Sequence, residues 1–250
     1  MKSDLLTELK AEFDQPFTGW NFSYLTDSGR MLESEVNWKY RSLIEKYSKT
    51  CGNLLDMGTG GGEFLISLKN LPEQVYTTEG YKPNLKTAKN NLRKINATVK
   101  FIDEDNKIPY KNNYFDLIIN RHEEFDAAEV YRVLKPGSIF LTQQVGGIND
   151  LNLNTFLGAK LPSYLNWSLS QALKLMSEAG FIILDQQESL GYTRFFDVGA
   201  ICYYLKCIPW QISDFSVERY QSRLVMLHDY LQKNGSIDLV NHRFLVIARK

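Results

Sequence analysis

The sequence predicts an α/β fold with a mainly parallel, doubly wound sheet. Two observations carry this prediction: strand-like and helix-like periodicity alternate along most of the chain, and a glycine cluster follows the first buried strand. The chain has 250 residues, 44% of them hydrophobic and 23% charged, which excludes a disordered or fibrous protein. A chain of this length buries roughly 70–75% of its unfolded surface, enough for a self-supporting core.

The predicted elements follow one another in a regular order. Apolar residues at helical or strand spacing define most of them, and breakers such as Lys135-Pro136-Gly137 separate them. Helices are predicted over residues 33–48, 63–69, 127–134 and 169–179, with a further helix that begins near Pro83, a residue favoured in the first helical turn. Strands are predicted over residues 53–57, 74–78, 98–103, 115–120, 138–145, 181–186 and 242–248.

One interval breaks this alternation and suggests a division of the chain. Residues 191–236 are too many for a simple loop and contain two helix candidates, near 198–207 and 216–233. We therefore predict four segments: an N-terminal helical extension (1–50), the α/β core (51–190), an inserted helical cap (191–236) and the last strand of the core (237–250).

Composition excludes several classes of protein. The 29 basic and 29 acidic side chains balance, which argues against a surface built as a whole for nucleic acid. The 3 cysteines are too few and too scattered for a disulfide framework, and with only 3 histidines no metal site is expected. No signal peptide or membrane span is expected, so the predicted location is the cytoplasm.

The glycine turn after the first predicted strand suggests a nucleoside site. In open α/β sheets ligands bind at the carboxyl ends of the strands, and glycines let a ligand approach the backbone. The fingerprint of dinucleotide-binding proteins needs a third glycine at position 63, which here is Glu63. A carboxylate would repel a pyrophosphate at this helix N-terminus, whereas a cationic ligand would be attracted to it. The turn therefore favours a nucleoside without phosphates.

Several motifs together resemble a known family. Asp56-x-Gly58-x-Gly60-x-Gly62 resembles the D-x-G-x-G-x-G signature of class I S-adenosylmethionine-dependent methyltransferases, and Glu79 resembles their ribose-binding acid. Residues 108–120 and 129–137 are similar to the stretches around the family's fourth strand and before its fifth. The resemblance covers about residues 50–190 and implies a stand-alone, bacterial-type methyltransferase domain. It implies a seven-stranded, Rossmann-like sheet of order 3-2-1-4-5-7-6 with an antiparallel last strand.

The resemblance also implies a binding site for S-adenosylmethionine. The backbone of Gly58, Thr59 and Gly60 would run along the methionine moiety, with Asp56 near its ammonium group. Glu79 would accept hydrogen bonds from both ribose hydroxyls. The residues that the resemblance assigns to the cofactor are Asp56, Gly58, Thr59, Gly60, Gly62, Glu79, Tyr81, Glu104, Asp105 and Asn120.

Four of these assignments concern the two ends of the cofactor. Tyr81 would lie against the adenine, and either Glu104 or Asp105 would accept from the adenine amino group. The family often has a single Gly-Asp pair where this chain has Asp103-Glu104-Asp105, so the choice stays open. Asn120 would face the methionine end of the cofactor or the acceptor.

The candidate acceptor residues come from their positions at strand ends. His122 follows the fourth strand of the core, and its imidazole could accept a proton, as could the nearby Glu123. His122 could equally be a surface residue at the start of the next helix. Gln143 is a candidate acceptor contact, with an ordinary strand-end role as the alternative. Trp210 belongs to an aromatic group that forms the interior of the cap or walls a pocket.

The leading hypothesis is a methyltransferase for a small or medium-sized organic acceptor. An RNA or protein methyltransferase is the alternative enzyme, and the basic stripe of Lys82, Lys86, Lys89 and Arg93 is its only support. A catalytically silent cofactor-binding protein is the alternative outside enzymes. Nucleic acid is thus open but not favoured as a partner, no membrane partner is expected, and the sequence does not define the oligomeric state.

Overall fold

Helices and strands alternate along the described part of the chain. The structure, a computed structural model, describes residues 2–17, 20, 22–103 and 107–250. The strands are β1 (Met31–Glu33), β2 (Asn53–Met57), β3 (Gln74–Glu79), β4 (Thr98–Phe101), β5 (Phe115–Arg121), β6 (Leu134–Val145), β7 (Ile182–Phe195) and β8 (Ile237–Arg249). The α-helices are α1 (Lys2–Phe13), α2 (Ser23–Thr26), α3 (Tyr40–Ser48), α4 (Glu63–Ile66), α5 (Lys82–Leu92), α6 (Ala127–Val133), α7 (Leu151–Leu157), α8 (Leu169–Glu178), α9 (Val198–Cys207) and α10 (Gln221–Asn234). None of these helices is long and apolar enough to cross a membrane.

The strands form one sheet in the order β1-β7-β8-β6-β5-β2-β3-β4. The five strands β2 to β6 pair in parallel, and β8 lies antiparallel between β6 and β7. This confirms the predicted order 3-2-1-4-5-7-6 for β2 to β8. An eighth strand, β1, was not predicted; it pairs antiparallel with the end of β7, with Met31 opposite Phe195.

The central strands are apolar on both sides because helices cover both faces of the sheet. Leu54 and Leu55 in β2 are fully buried, and they belong to two different cores. Leu54 packs with the residues of α3, α4 and α5, and Leu55 packs with those of α6 and α8. This arrangement leaves the carboxyl ends of the parallel strands as the edge where a ligand can approach.

A third core lies beyond that edge. Its buried residues come from α1, α7, α9 and α10 and from the adjoining ends of β7 and β8. The pairing of β6 with β8 ends at Val145 opposite Arg243, whereas β7 and β8 stay paired as far as Phe195 opposite Ile237. The β7–β8 hairpin therefore projects past the carboxyl end of β6 and carries the cap helices on that side of the sheet.

The two largest differences between predicted and observed boundaries concern the first predicted helix and the sixth predicted strand. The helix predicted over 33–48 begins only at Tyr40, because Glu33 belongs to β1 and Trp38 reaches across to β6. The N-terminal extension is thus not purely helical. The strand predicted over 181–186 continues through Phe195, into the predicted cap, because β8 and then β1 supply hydrogen-bonding partners along it.

Candidate functional site

A sharp loop follows β2 and carries glycines in the left-handed backbone region. Gly58 has φ of +65° and Gly60 has φ of +61°. A Cβ atom on Gly58 would lie 2.5 Å from Glu123 Oε2, and one on Gly60 would lie 3.1 Å from Trp20 Cδ1. Other residues therefore approach this backbone too closely for a side chain, which is the setting expected where a ligand lies against a loop. Gly62 ends the loop as the N-cap of α4.

The first residue of α4 makes the loop unsuitable for a pyrophosphate. The Glu63 carboxylate folds back against the position that a Cβ atom of Gly61 would take. A phosphate group at this helix N-terminus would meet that negative charge directly. The structure thus supports the interpretation of Glu63 made from the sequence.

Asp56 lies near the end of β2 and is only 5% exposed. Burial, together with the negative charge of Glu79, raises the pKa of Asp56 to about 7, and the Arg121 guanidinium opposes this increase. A buried carboxyl group with a raised pKa is stabilised in its charged form by a cation. Asp56 is therefore placed to interact with a positively charged ligand group beside the loop.

Glu79 ends β3 with one carboxylate oxygen lacking a partner. The side chain is 4% exposed, and Oε1 accepts a hydrogen bond of 2.7 Å from the backbone N–H of Tyr81. Oε2 is buried without a hydrogen-bond partner among the described residues, as are Thr59 Oγ1 and Asn84 Nδ2. Burial raises the pKa of Glu79, and the Tyr81 N–H partly opposes that increase. Buried polar atoms without a partner are uncommon in folded proteins, and a ligand or an ordered water can supply the partner.

The predicted adenine residues are only partly described by the structure. Tyr81 is the N-cap of α5, and its side chain is 58% exposed beside Glu79, so its ring is free to stack on a ligand. Glu104 and Asp105 lie outside the described residues. Asp103, the last described residue before them, is exposed.

Asn120 is locked into the sheet at the end of β5. It is fully buried, and its Oδ1 accepts hydrogen bonds from Gln144 Nε2 at 2.7 Å and from Thr142 Oγ1 at 3.2 Å. Its backbone oxygen accepts from the Tyr40 hydroxyl at 2.8 Å. Only Nδ2 has no partner among the described residues. The visible role of Asn120 is to hold strand ends together, and its contact with a ligand stays a prediction.

The structure brings His122 and Gln143 together. The Gln143 amide nitrogen lies 2.9 Å from His122 Nε2, and Gln143 Oε1 accepts a 2.7 Å hydrogen bond from the Trp38 indole. His122 itself has φ of +68°, a conformation that is uncommon for residues other than glycine. Glu123 follows directly and reaches the glycine loop at Gly58. The predicted catalytic pair therefore lies beside the predicted methionine end of the cofactor site.

Sequence reasoning missed three residues around His122. Trp38 was assigned to a helix, and its contact with β6 has no local signal. Arg121 and Arg243 carry the charges that act on His122. Arg243 is 8% exposed and donates to Glu33 Oε1 at 2.6 Å. Arg243 interrupts the apolar run that predicts the last strand, and a charged residue at such a position could have marked this region.

Trp210 lies in the segment between α9 and α10 and is 51% exposed. Its ring centroid is 5.5 Å from that of Trp20, the residue that lies over Gly60. The cap therefore reaches the glycine loop through a pair of tryptophan rings, although no side chain of the cap touches His122 in the hydrogen bonds of the described residues.

Solved structures share this fold at low sequence identity. A candidate methyltransferase from Bacillus halodurans C-125 is 20% identical with a TM-score of 0.58, covering 84% of this chain and 96% of its own. A Deinococcus radiodurans R1 protein of unknown function is 13% identical with a TM-score of 0.60, covering 99% and 97%. The [4+2]-cyclase SpnF is 19% identical with a TM-score of 0.54, covering 99% and 93%. No curated protein sequence matches the chain.

The sheet order, the antiparallel last strand and the glycine loop define the class I methyltransferase fold. Residues 55–142 match the sequence model of a family described as a methyltransferase domain. That match spans the glycine loop, Glu79 and the end of β5. The chain therefore has this fold and is similar over those residues to methyltransferase domains.

Proposed function

We propose that this enzyme binds S-adenosylmethionine at the glycine loop and transfers its methyl group to a small or medium-sized organic acceptor. The observation that carries the proposal is the buried Oε2 atom of Glu79, without a partner among the described residues, beside a loop whose glycines lie close to other side chains. A ribose would give this carboxylate the hydroxyl donors that the described residues do not supply. The residues present therefore fit the cofactor.

The roles of the remaining cofactor residues follow from their chemistry. Asp56 supplies a negative charge for the ammonium group of the methionine moiety, which explains why a carboxyl group is retained where burial raises its pKa to about 7. The exposed Tyr81 ring offers a surface for the adenine. Asn120, beyond the loop, is proposed for the methionine end.

Methyl transfer requires mainly that the acceptor be aligned. When bound, S-adenosylmethionine supplies a methyl group that its sulfonium already activates. Holding the acceptor in line can lower the barrier by roughly 7–11 kcal/mol. His122, Glu123 and Gln143 are the proposed acceptor-side residues, because they lie next to the glycine loop and at the end of β6. The cap, with Trp210, is proposed to cover the acceptor and exclude water.

Calorimetry with three ligands tests the cofactor proposal. We expect S-adenosylmethionine and its demethylated product to bind and NAD to give no signal, because the Glu63 carboxylate would repel the pyrophosphate. Binding of NAD without binding of S-adenosylmethionine would overturn the proposal. Substitution of Glu63 by Gln is the matched variant, since it removes the charge and keeps the size.

A screen of organic acceptors with radiolabelled cofactor then tests transfer. We expect label to appear in a small-molecule product. The [4+2]-cyclase with this fold makes the screen necessary, because a shared fold does not fix the reaction. Cofactor binding without any labelled product, across a broad panel, would favour the catalytically silent alternative.

A further inference from the structure

Three side chains form a hydrogen-bonded row beside the glycine loop. Trp38 Nε1 donates to Gln143 Oε1 at 2.7 Å, and Gln143 Nε2 lies 2.9 Å from His122 Nε2. Trp38 and Gln143 are 5% and 7% exposed, so water has little access to their hydrogen bonds. The side-chain polar atoms of Trp38 and Gln143 therefore depend on partners within the row.

The indole donor of Trp38 at one end of the row determines which nitrogen of His122 carries the proton at the other end. An indole nitrogen can only donate, so the atom of Gln143 that faces Trp38 must be the amide oxygen. The amide nitrogen then faces His122, and it too can only donate. His122 Nε2 must accept with its lone pair, and a neutral imidazole that accepts at Nε2 carries its proton on Nδ1.

A backbone hydrogen bond also links Gln143 to His122. The backbone N–H of His122 donates to the backbone oxygen of Gln143 at 2.8 Å. His122 keeps a φ of +68°, which for a residue other than glycine persists only where its surroundings impose it. Backbone and side chain of Gln143 together fix the position and the rotation of the imidazole.

The surroundings of His122 also favour a neutral imidazole ring. Desolvation of the ring and the guanidinium groups of Arg243 and Arg121 lower the pKa of His122, although the residue as a whole is exposed. Carboxylates also act on these guanidinium groups: Asp56 interacts with Arg121, Asp150 interacts with Arg243, and Glu33 accepts a hydrogen bond from Arg243. A second proton on Nε2 would also face the Gln143 N–H.

We propose that His122 acts as a hydrogen-bond donor through Nδ1, with Trp38 and Gln143 as positioning residues, and that the acceptor presents an anionic oxygen to it. Accepting a proton at Nδ1 would require the tautomer with a proton on Nε2, and that proton would point at a donor. His122 is then not the general base. Removal of an acceptor proton falls to Glu123 or to solvent, and the guanidinium groups favour an acceptor with a carboxylate or phenolate. The choice of acceptor rests on the proposed function.

Nitrogen NMR of the histidine rings in the ligand-free protein tests the tautomer directly. We expect the His122 ring to be neutral near pH ~7 with its proton on Nδ1. The variant His228→Asn and the variant His122→Asn assign the signals. A wild-type His122 that carries its proton on Nε2, or that is doubly protonated near neutrality, would overturn the proposal.

Two variants test whether the hydrogen-bonded row, rather than packing around the ring, determines the tautomer of His122. Gln143→Glu keeps the size but turns the donor into an acceptor, so the proton should move to Nε2 and the pKa of His122 should rise by about 1 or more. Trp38→Phe removes the indole donor and frees the amide to rotate, so both tautomers should appear. If neither variant changes the tautomer, the row does not set it and the proposal fails.

The proposed class of acceptor is tested by a separate experiment. In the radiolabel screen we expect products only from acceptors with a carboxylate or phenolate near the methylated atom. Products from uncharged acceptors alone would overturn this part. Failure of S-adenosylmethionine to bind would count against the proposed function, whereas the tautomer is measured without any ligand.

Discussion

At the scale of single residues, the carboxyl edge of the sheet combines buried acids with glycines that have no room for side chains. Asp56 and Glu79 are almost fully buried, and their pKa values are raised by burial. Neither acid has a basic residue bonded to it in the described hydrogen bonds. Burying a carboxyl group in this way is unfavourable for the folded protein alone. A ligand with hydroxyl groups and a positive charge would offset that cost.

The substitution Glu79→Ala should weaken binding of S-adenosylmethionine by roughly 1.5–3 kcal/mol, the range for hydrogen bonds to a charged group. The fold should survive, because only one of the carboxylate oxygens has a partner in the structure. Calorimetry measures the change. Glu73→Ala is the matched control, since Glu73 is exposed just before β3 begins at Gln74. Equal affinity of the two folded variants would remove Glu79 from the site.

Asp56 should also make stability depend on pH. Its pKa of about 7 in the folded protein lies above the value near 3.9 of an unfolded chain. The folded state therefore binds the proton more tightly, and this contribution to stability is present below pH ~4 and lost as the pH rises through ~7. The variant Asp56→Asn has no titratable group at this position, so its stability lacks this contribution to the pH dependence.

Urea unfolding near pH ~5 and pH ~8 measures this effect. The free energy of unfolding of Asp56→Asn, relative to wild type, should be higher at the upper pH by at least ~1 kcal/mol. Asp116→Asn should show no such difference between these two pH values. The Lys135 ammonium at 2.7 Å helps to lower the pKa of Asp116, so this carboxylate is ionised in both the folded and the unfolded state across this range. Parallel pH profiles for wild type and Asp56→Asn would contradict the prediction.

At the scale of elements, the cap owes its position to the length of β7 and β8. These strands stay paired beyond the end of β6, so the segment between them emerges above the carboxyl edge. Within the part of the chain that the structure describes, the segment approaches the glycine loop through the Trp210–Trp20 contact. This position agrees with a cover over the acceptor, which remains a proposal.

Trp210→Ala should leave cofactor affinity nearly normal and reduce turnover of the acceptor. The physical reason is that the ring of Trp210 packs against that of Trp20, which lies over Gly60, so its loss would open the proposed cover and leave Asp56 and Glu79 unchanged. Calorimetry and an assay with an identified acceptor measure the two effects. Tyr230→Ala is the control, since Tyr230 is an exposed aromatic on α10 that packs near Phe156. A large loss of cofactor affinity would contradict a cover with this role.

At the scale of the whole molecule, the chain has two cores against the sheet and a third that joins both ends of the sequence. Leu9 of α1 is 3% exposed and packs in the same core as the cap helices α9 and α10. The predicted extension and the predicted cap thus share their interior. Residues far apart in the chain therefore stabilise one another above the site.

Leu9→Ala should loosen the cap more than the sheet. Loss of a buried leucine side chain costs about 2–5 kcal/mol, and the cavity would lie wholly in the third core. Hydrogen exchange should become faster in α9 and α10 and change little in β2 and β5. Leu54→Ala is the contrasting variant, because Leu54 is fully buried against α3 to α5. Faster exchange throughout the sheet in Leu9→Ala would show that the cores are not separable.

The sequence by itself determined the succession of strands and helices along the chain and the place of the glycine loop. Both depend on local patterns: short apolar runs make buried strands, and the Asp56 to Gly62 spacing describes one strand and one turn. Glu79 could be predicted for the same reason, since it is the residue that ends the next strand. The family resemblance added the order of the strands within the sheet and the antiparallel last strand, which no local pattern indicates.

Three features became evident only in the tertiary structure: the strand β1, the shared third core and the hydrogen-bonded row that orients His122. The contact between Trp38 and Gln143 joins residues 105 positions apart, and that between Arg243 and Glu33 joins residues 210 apart. Such contacts leave no periodic signal, because each depends on how strands and loops from distant parts of the chain meet. Sequence could thus suggest that His122 handles a proton, whereas its partners, fixed by folding, determine which nitrogen holds that proton.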